Sequence, residues 1–255
     1  MSKKRISIVL VVVFAPILLF AQNEVLFSKA TDAYNEGKYV EAIESYQKIL
    51  RNGEHSAALY FNLGNAHYKL NQIGPSIYYY EKALLLDPND AEIKNNLGFA
   101  KNMRLDAIEQ MPKTVMQKLY DNTAAVLSFD GWATTAIVFV ILFVALYLAY
   151  YLFRYSNYKR IAFISSMTGL ALAIVALTFA YLQFQKFKND NPAIIFSKEV
   201  RVLAEPNKRS QEVFTLHEGT KVNIQDTLED WQKIKIADGQ TGWLTSENLK
   251  QLKDF

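Results

Sequence analysis

Apolar positions along this chain follow three rhythms, and the changes of rhythm divide it into segments. Between Asn23 and Asp90 they recur every three or four residues, the spacing of amphipathic helices. Trp132–Phe153 and Ile161–Phe184 are nearly unbroken apolar runs, separated only by the polar connector Arg154–Arg160. From Val200 onward the period drops to two: Val200-x-Val202, Val222-x-Ile224 and Ile234-x-Ile236 are short alternating strands divided by turns. The predicted order is a helical array, two long apolar helices and a small all-β segment.

The helical array repeats. Ala30, Gly37, Ala42, Tyr46 and Leu50 recur as Gly64, Asn71, Ser76, Tyr80 and Leu84, every match offset by 34 residues. That period belongs to helix–turn–helix units that stack into a solenoid. Small residues at 30, 64, 42 and 76 let paired helices approach closely, and Tyr46 and Tyr80 fill the space between them. Gly37 and Asn71 fall where the chain reverses and tolerate positive φ. Pro88 ends the second unit.

These residues resemble the tetratricopeptide repeat, most clearly in Tyr60-x2-Leu63-Gly64, Ala83 and Asp87-Pro88-Asn89. The first unit has Lys29 and Glu54 where leucine and proline are usual. Ala91–Leu105 starts a third unit at Leu97-Gly98 without a convincing second helix, and reads as a cap that shields the last apolar face. The resemblance puts Phe27, Thr31, Tyr34, Phe61, Asn65, Tyr68, Lys69, Asn95 and Phe99 on a groove for a protein segment; some of these aromatics can equally be core. Phe27 and Phe61 stand where a carboxylate clamp wants lysine, so an apolar, aromatic-rich ligand is expected.

The two long runs are each sufficient to cross a ~30 Å hydrocarbon core as helices. Ala145 and Ala149 in the first, and Ser165, Gly169 and Ala173 in the second, permit close helix contact. That contact is either within the hairpin or with other membrane subunits. Neither run contains Asp, Glu, Lys, Arg or His, which disfavours transport. Arg154, Lys159 and Arg160 assign the connector to the cytoplasm. An earlier run, Ile6–Phe20, follows Lys3, Lys4 and Arg5 and precedes Ala21, the pattern of a secretory signal. Cleavage after Ala21 and retention as an anchor both remain open. Both soluble parts are then expected on the periplasmic face of a bacterial inner membrane. Residues 113–129, before the first span, are amphipathic and suit either the membrane interface or packing on the repeats.

In the β segment, Leu216-x-Glu218-Gly219-Thr220-x-Val222, Trp231 and Asp238-Gly239-x-Thr241-Gly242-Trp243-Leu244 resemble bacterial SH3-like domains. A compact five-stranded barrel is expected. Trp231 and Trp243 are the candidate ligand face; Trp231, after Glu229-Asp230, is expected to pack inward and Trp243 to stay exposed beside Gly242.

The expected architecture is multidomain: an α-helical tetratricopeptide solenoid, a two-helix transmembrane hairpin and a small all-β SH3-like barrel. Its boundaries are 1–21 for the signal, 23–110 for the repeats and cap, and 111–131 for the amphipathic linker. Residues 132–153 and 161–184 are the spans, 154–160 the loop, and 192–252 the SH3-like domain.

Composition narrows function further. The chain has no cysteine, which excludes thiolate chemistry and zinc–thiolate sites, and each soluble module is expected to fold on its own hydrophobic core. The net charge of +3 comes with no concentrated basic face, so nucleic acid is not an expected partner. His55, His67 and His217 have no metal-ligand spacing, and no glycine-rich phosphate loop occurs. No catalytic, metal or cofactor-binding residue is assigned, no cofactor is expected, and an enzyme is not.

The order of signal, repeats, hairpin and SH3-like domain resembles the repeat-containing (BatE-type) member of the Bacteroides aerotolerance family. The resemblance implies an inner-membrane complex with von Willebrand A-type membrane proteins and a MoxR-type ATPase, connected with oxygen or envelope-stress tolerance. Two readings remain. One is an adaptor that recruits a protein through the repeat groove. The other is an envelope sensor that binds peptidoglycan or a cell-wall peptide through the SH3-like domain.

Overall fold

The computed structural model describes residues 22–109 and 111–254; the expected signal segment lies outside the described residues. The chain divides into two units. One joins the part before residue 110 to the part after 191, and the other comprises Met111–Asp190.

The first unit begins with five helices: α1 (22–35), α2 (Tyr39–Arg51), α3 (Ala57–Lys69), α4 (Ile73–Leu86) and α5 (Ala91–Asn102). The 34-residue period becomes two helix pairs, α1–α2 and α3–α4, followed by α5 alone. Gly37 and Asn71 turn the chain between partners with φ of 79° and 58°. Ser56 and Asp90 start α3 and α5 by accepting hydrogen bonds from Leu59 N and Ile93 N. Inside each pair a small residue meets a ring. A Cβ on Gly64 would lie 2.6 Å from Tyr80 Cδ1, so only glycine allows this approach, and Ser76 Oγ donates to Gly64 O across the same contact.

The same unit continues with seven strands: β1 (Pro192–Ile195), β2 (Glu199–Leu203), β3 (Glu212–His217), β4 (Lys221–Leu228), β5 (Trp231–Lys235), β6 (Thr241–Thr245) and β7 (Leu249–Gln251). They form one antiparallel sheet in the order β3-β2-β6-β5-β4-β1-β7. This corrects the expected five-stranded barrel. The sheet is open, because among the described residues β3 and β7 do not pair, and β2 meets β6 only at Leu203↔Trp243.

The sheet has a core of its own, and in addition it lends residues to the helical core, which the expected independent modules did not include. All four residues of β1 are buried because its two faces serve different cores. Ala193 and Ile195 point into the sheet core with Val202, Leu216, Ile234 and Leu244. Ile194, with Leu252, enters the helical core beside Tyr60, Ile77, Tyr78 and Leu97. Charges surround this joint. Glu81 on α4, 7% exposed, receives Lys101 Nζ at 2.7 Å and Lys221 Nζ at 2.7 Å. Asp254 accepts from Tyr78 OH at 3.0 Å and pairs with buried Lys82. Asp106, just past α5, accepts from His217 N at 2.7 Å and Thr220 Oγ1 at 2.5 Å.

This joint makes stability fall in acid. Burial alone would raise the Glu81 carboxyl's pKa, but Lys221 and Lys101 outweigh it and hold it low. Burial likewise opposes, and the bonds from Thr220 and His217 overcome, at Asp106. Both contributions are present above the ordinary carboxylate range of about 4 and are lost as pH falls through the lowered values. His67 is pushed down by burial, against its bond to Gln72, and Lys250 adds to the depression. Its contribution is present above about pH 6.5 and is lost as pH falls from there toward its folded value. Denaturant unfolding is therefore expected to show lower stability at pH 5.5 than at pH 7.5, with a smaller difference in His67→Phe. Equal stability at the two pH values in the unmodified protein would refute this.

The second unit contains α6 (Val115–Asn122), α7 (Phe129–Leu152) and α8 (Ser156–Asn189). A capping box of Thr114 and Gln117 starts α6, which buries no residue. The two longer helices are long and apolar enough to cross a membrane and are mostly exposed on their apolar sides. They pack along buried Ala162, Ser166, Gly169, Ala173, Ala176 and Ala180 of α8, with the Gly169 backbone against Phe139 and Phe143. The seam passes through Ser166 rather than Ser165, and Ala145 stays exposed, because the spacing of buried positions alternates four and three residues instead of repeating four.

Candidate protein-binding surfaces

The first helix of each pair turns the same positions toward one cavity of about 450 Å³. Tyr34, Phe61, Asn65, Tyr68, Lys69 and Phe99 line it together with Thr31. Phe27 lines a neighbouring cavity of about 500 Å³ with Asn23, Ile49, Glu54 and Leu59, and Thr31 borders both. Phe27 also packs edge-on against Tyr46, centroids 5.5 Å apart. Asn95 is exposed and outside both cavities.

Sequence reasoning missed part of the first cavity's lining: Asn35, Asn62, Asn96 and Glu92, and the second-helix rings Tyr46 and Tyr80. The available signal was the period itself. Tyr46 and Tyr80 are 34 residues apart, and each puts its hydroxyl on the first helix: Tyr46 OH is 3.1 Å from Thr31 Oγ1, and Tyr80 OH donates to Asn65 Oδ1 at 2.6 Å. Burial raises both phenol pKa values, so both hydroxyls stay protonated at neutral pH. Asn96 Nδ2 also donates to Asn65 Oδ1, at 3.0 Å. With its oxygen doubly engaged, Asn65 keeps its amide N–H groups as the donors for a ligand. The cavity thus combines aromatic faces with fixed amides, suited to an apolar segment whose backbone needs hydrogen bonds.

Residues 57–90 match the tetratricopeptide-repeat family, and residues 198–250 match the bacterial SH3 domain family. A comparison with curated proteins returns no match. Among solved structures, the chain is similar to YrrB, described as a TPR protein with an unusual peptide-binding site. The identity is 18%, the match covers 65% of this chain and 74% of that one, and the TM-score is 0.30. Both matched modules are binding modules, and together they make the chain a protein-binding adaptor at the coarse level.

On the SH3-like sheet, Trp231 pairs with Thr245 and Lys233 with Trp243, which puts both tryptophans on one face. Both are half-buried and neither joins the core. Trp231, expected inward, lines a shallow depression of about 290 Å³ with Val200, Arg201, Lys208, Thr245 and Asn248. Trp243 does not border it. The inward residue is Gly242, where a Cβ would lie 2.5 Å from Val202 Cγ1. The glycine therefore lets β6 approach β2 and does not open the surface beside Trp243. The alternation of β6 decides this: Gly242 and Leu244 face the core, so Trp243 must face away.

Proposed function

We propose that this chain is a non-enzymatic, membrane-anchored adaptor that presents its repeat groove to a protein partner. The observation that carries the reading is an uncovered groove of rings and amides, Phe99 being 61% exposed, while the sheet packs on the second-helix side at α4. The groove contacts are Tyr34, Phe61, Asn65, Tyr68, Lys69 and Phe99, with Phe27 at its edge. The anchor is the α7–α8 hairpin, which carries Arg154 in its turn and Lys159 and Arg160 at the start of α8 toward the cytoplasm. The folded unit then faces the periplasm of an inner membrane. Resemblance to the aerotolerance family supports assembly with von Willebrand A-type proteins and a MoxR-type ATPase.

A second reading, a sensor of peptidoglycan or cell-wall peptide, is favoured by the depression at Trp231. Arg201 and Lys208 line it with the ring, alongside Glu199, and provide donors for a polar ligand group. Trp243 is the neighbouring contact.

The adaptor reading is tested by crosslinking and co-purification of the full chain from native membranes. Phe61→Ala with Tyr68→Ala is expected to weaken capture about tenfold or more, since buried anchors typically contribute about 2 kcal/mol each. Helicity should hold. An unchanged set of crosslinked partners in the folded double variant would move the function to the SH3-like sheet.

A further inference from the structure

The repeat array stops halfway through a unit, and the stop leaves a helix seat open. In the first pair, Tyr46 of α2 rests on Phe27, and its hydroxyl reaches Thr31 beside fully buried Ala30. One period later, Tyr80 of α4 packs 5.9 Å from Phe61, closes on Gly64, and donates to Asn65. One further period places Asn95, Gly98 and Phe99 on α5 in the same three positions. Among the described residues no ring covers them. A Cβ on Gly98 would meet nothing within 4 Å, Asn95 is exposed, and Phe99 is 61% exposed. Residues 104–109 cannot supply the second helix, because they leave the helical conformation and run to the sheet, where Asp106 binds His217 and Thr220. α5 covers α4 through buried Ile93, Leu97 and Ala100, while Asn95, Gly98 and Phe99 lie on a face that nothing among the described residues covers.

We propose that α5 accepts a second helix in trans, from a partner protein that carries a small residue followed four positions later by an aromatic ring. The face is continuous, by one repeat period, with the α1–α2 and α3–α4 interfaces. The pattern is the one this chain uses itself: Ala42-x3-Tyr46 and Ser76-x3-Tyr80. The small residue lets the backbones approach at Gly98, and the ring lands between Asn95 and Phe99. Phe99 does what Thr31 and Asn65 do earlier, but with an apolar face, so the incoming ring needs no hydroxyl. The seat shares Phe99 with the rim of the groove but otherwise rests on Asn95 and Gly98, which do not line it, and it is filled by a helix that completes the third repeat.

The probe is a capped, fluorescein-labelled peptide copying residues 38–52, added to the full chain in detergent micelles. Saturable binding by fluorescence anisotropy is expected. Gly98→Leu in the chain should weaken it about tenfold or more, as should Tyr46→Ala in the peptide. The melting midpoint of Gly98→Leu should hold or rise, because the site has room and leucine favours helix over glycine. Phe61→Ala with Tyr68→Ala should bind the peptide as before. The proposal is overturned by absence of saturable binding, by equal binding to Gly98→Leu or of the Tyr46→Ala peptide, or by loss in the groove variant. Concentration-dependent dimerisation of the chain that Gly98→Leu abolishes would also overturn it, since the seat would then belong to a second copy.

Discussion

Ile194→Ala is expected to lower the stability of the first unit by about 2–5 kcal/mol, the usual range for emptying a fully buried aliphatic site. Ile194→Asp is expected to prevent the unit from folding, because a carboxylate would have to enter the apolar space between Tyr60, Ile77 and Tyr78. A domain is stable by only about 5–15 kcal/mol, so the second loss exceeds what remains. Ile194 lies in a strand of the sheet, yet its side chain belongs to the helical core. The informative measurement is therefore which signal moves. Helical circular dichroism and tryptophan fluorescence from Trp231 and Trp243 should melt together, and both should shift in Ile194→Ala. Helical signal that melts as before while the sheet alone loosens would show that the two parts are merely adjacent. Two pairs plus a lone helix are a small array, and the sheet's contribution to their core explains how they are stabilised.

The second large effect is all-or-none. If the repeats and the sheet share a core, an even number of membrane crossings must lie between them. The protein has no cysteine, so single cysteines report position directly. Asn89→Cys and Arg209→Cys, both at exposed sites, are expected to react with a membrane-impermeant maleimide from the periplasmic side. Asn157→Cys, exposed in the first turn of α8 beside the turn that joins it to α7, should react only after the membrane is permeabilised. Labelling of positions 89 and 209 from opposite sides would end both the shared core and the two-span reading. Labelling of all three from the periplasmic side would leave the shared core intact and remove the hairpin's membrane role.

Much of this architecture was legible as periodicity. The 34-residue offset announced the helix pairs, and Gly37 and Asn71 announced their turns, because a reversal that needs positive φ restricts the residues that can occupy it. That Tyr34, Phe61, Tyr68 and Phe99 turn toward one cavity was legible as well, since repeated positions on equivalent helices must face the same way. Phe27 departed from the rest because its ring packs beside Tyr46 at the array's first pair, where no earlier unit continues the groove among the described residues. The two tryptophans stood out as candidates, but Trp231 was expected inward, whereas the sheet puts it on the same outer face as Trp243 and at the edge of a depression. Which ring borders the depression depends on where β2 diverges from β6, a matter of sheet twist rather than of alternation.

By itself, then, the sequence determined the kinds of element, their order and the phase of the repeat, all properties set within a few residues of each position. Only the tertiary structure decided what covers α4. Its pattern marks Ile77, Tyr78, Glu81 and Lys82 as one helical face but cannot say what meets it. The partners are Ile194, Lys221 and Asp254, more than 100 positions away and beyond the hairpin. A hydrophobic pattern records that a surface leaves water. Burial is non-directional, so the identity of the covering surface comes from packing alone. The same holds at α5, where the sequence continues the repeat through Gly98 and Phe99 and the fold leaves that seat uncovered.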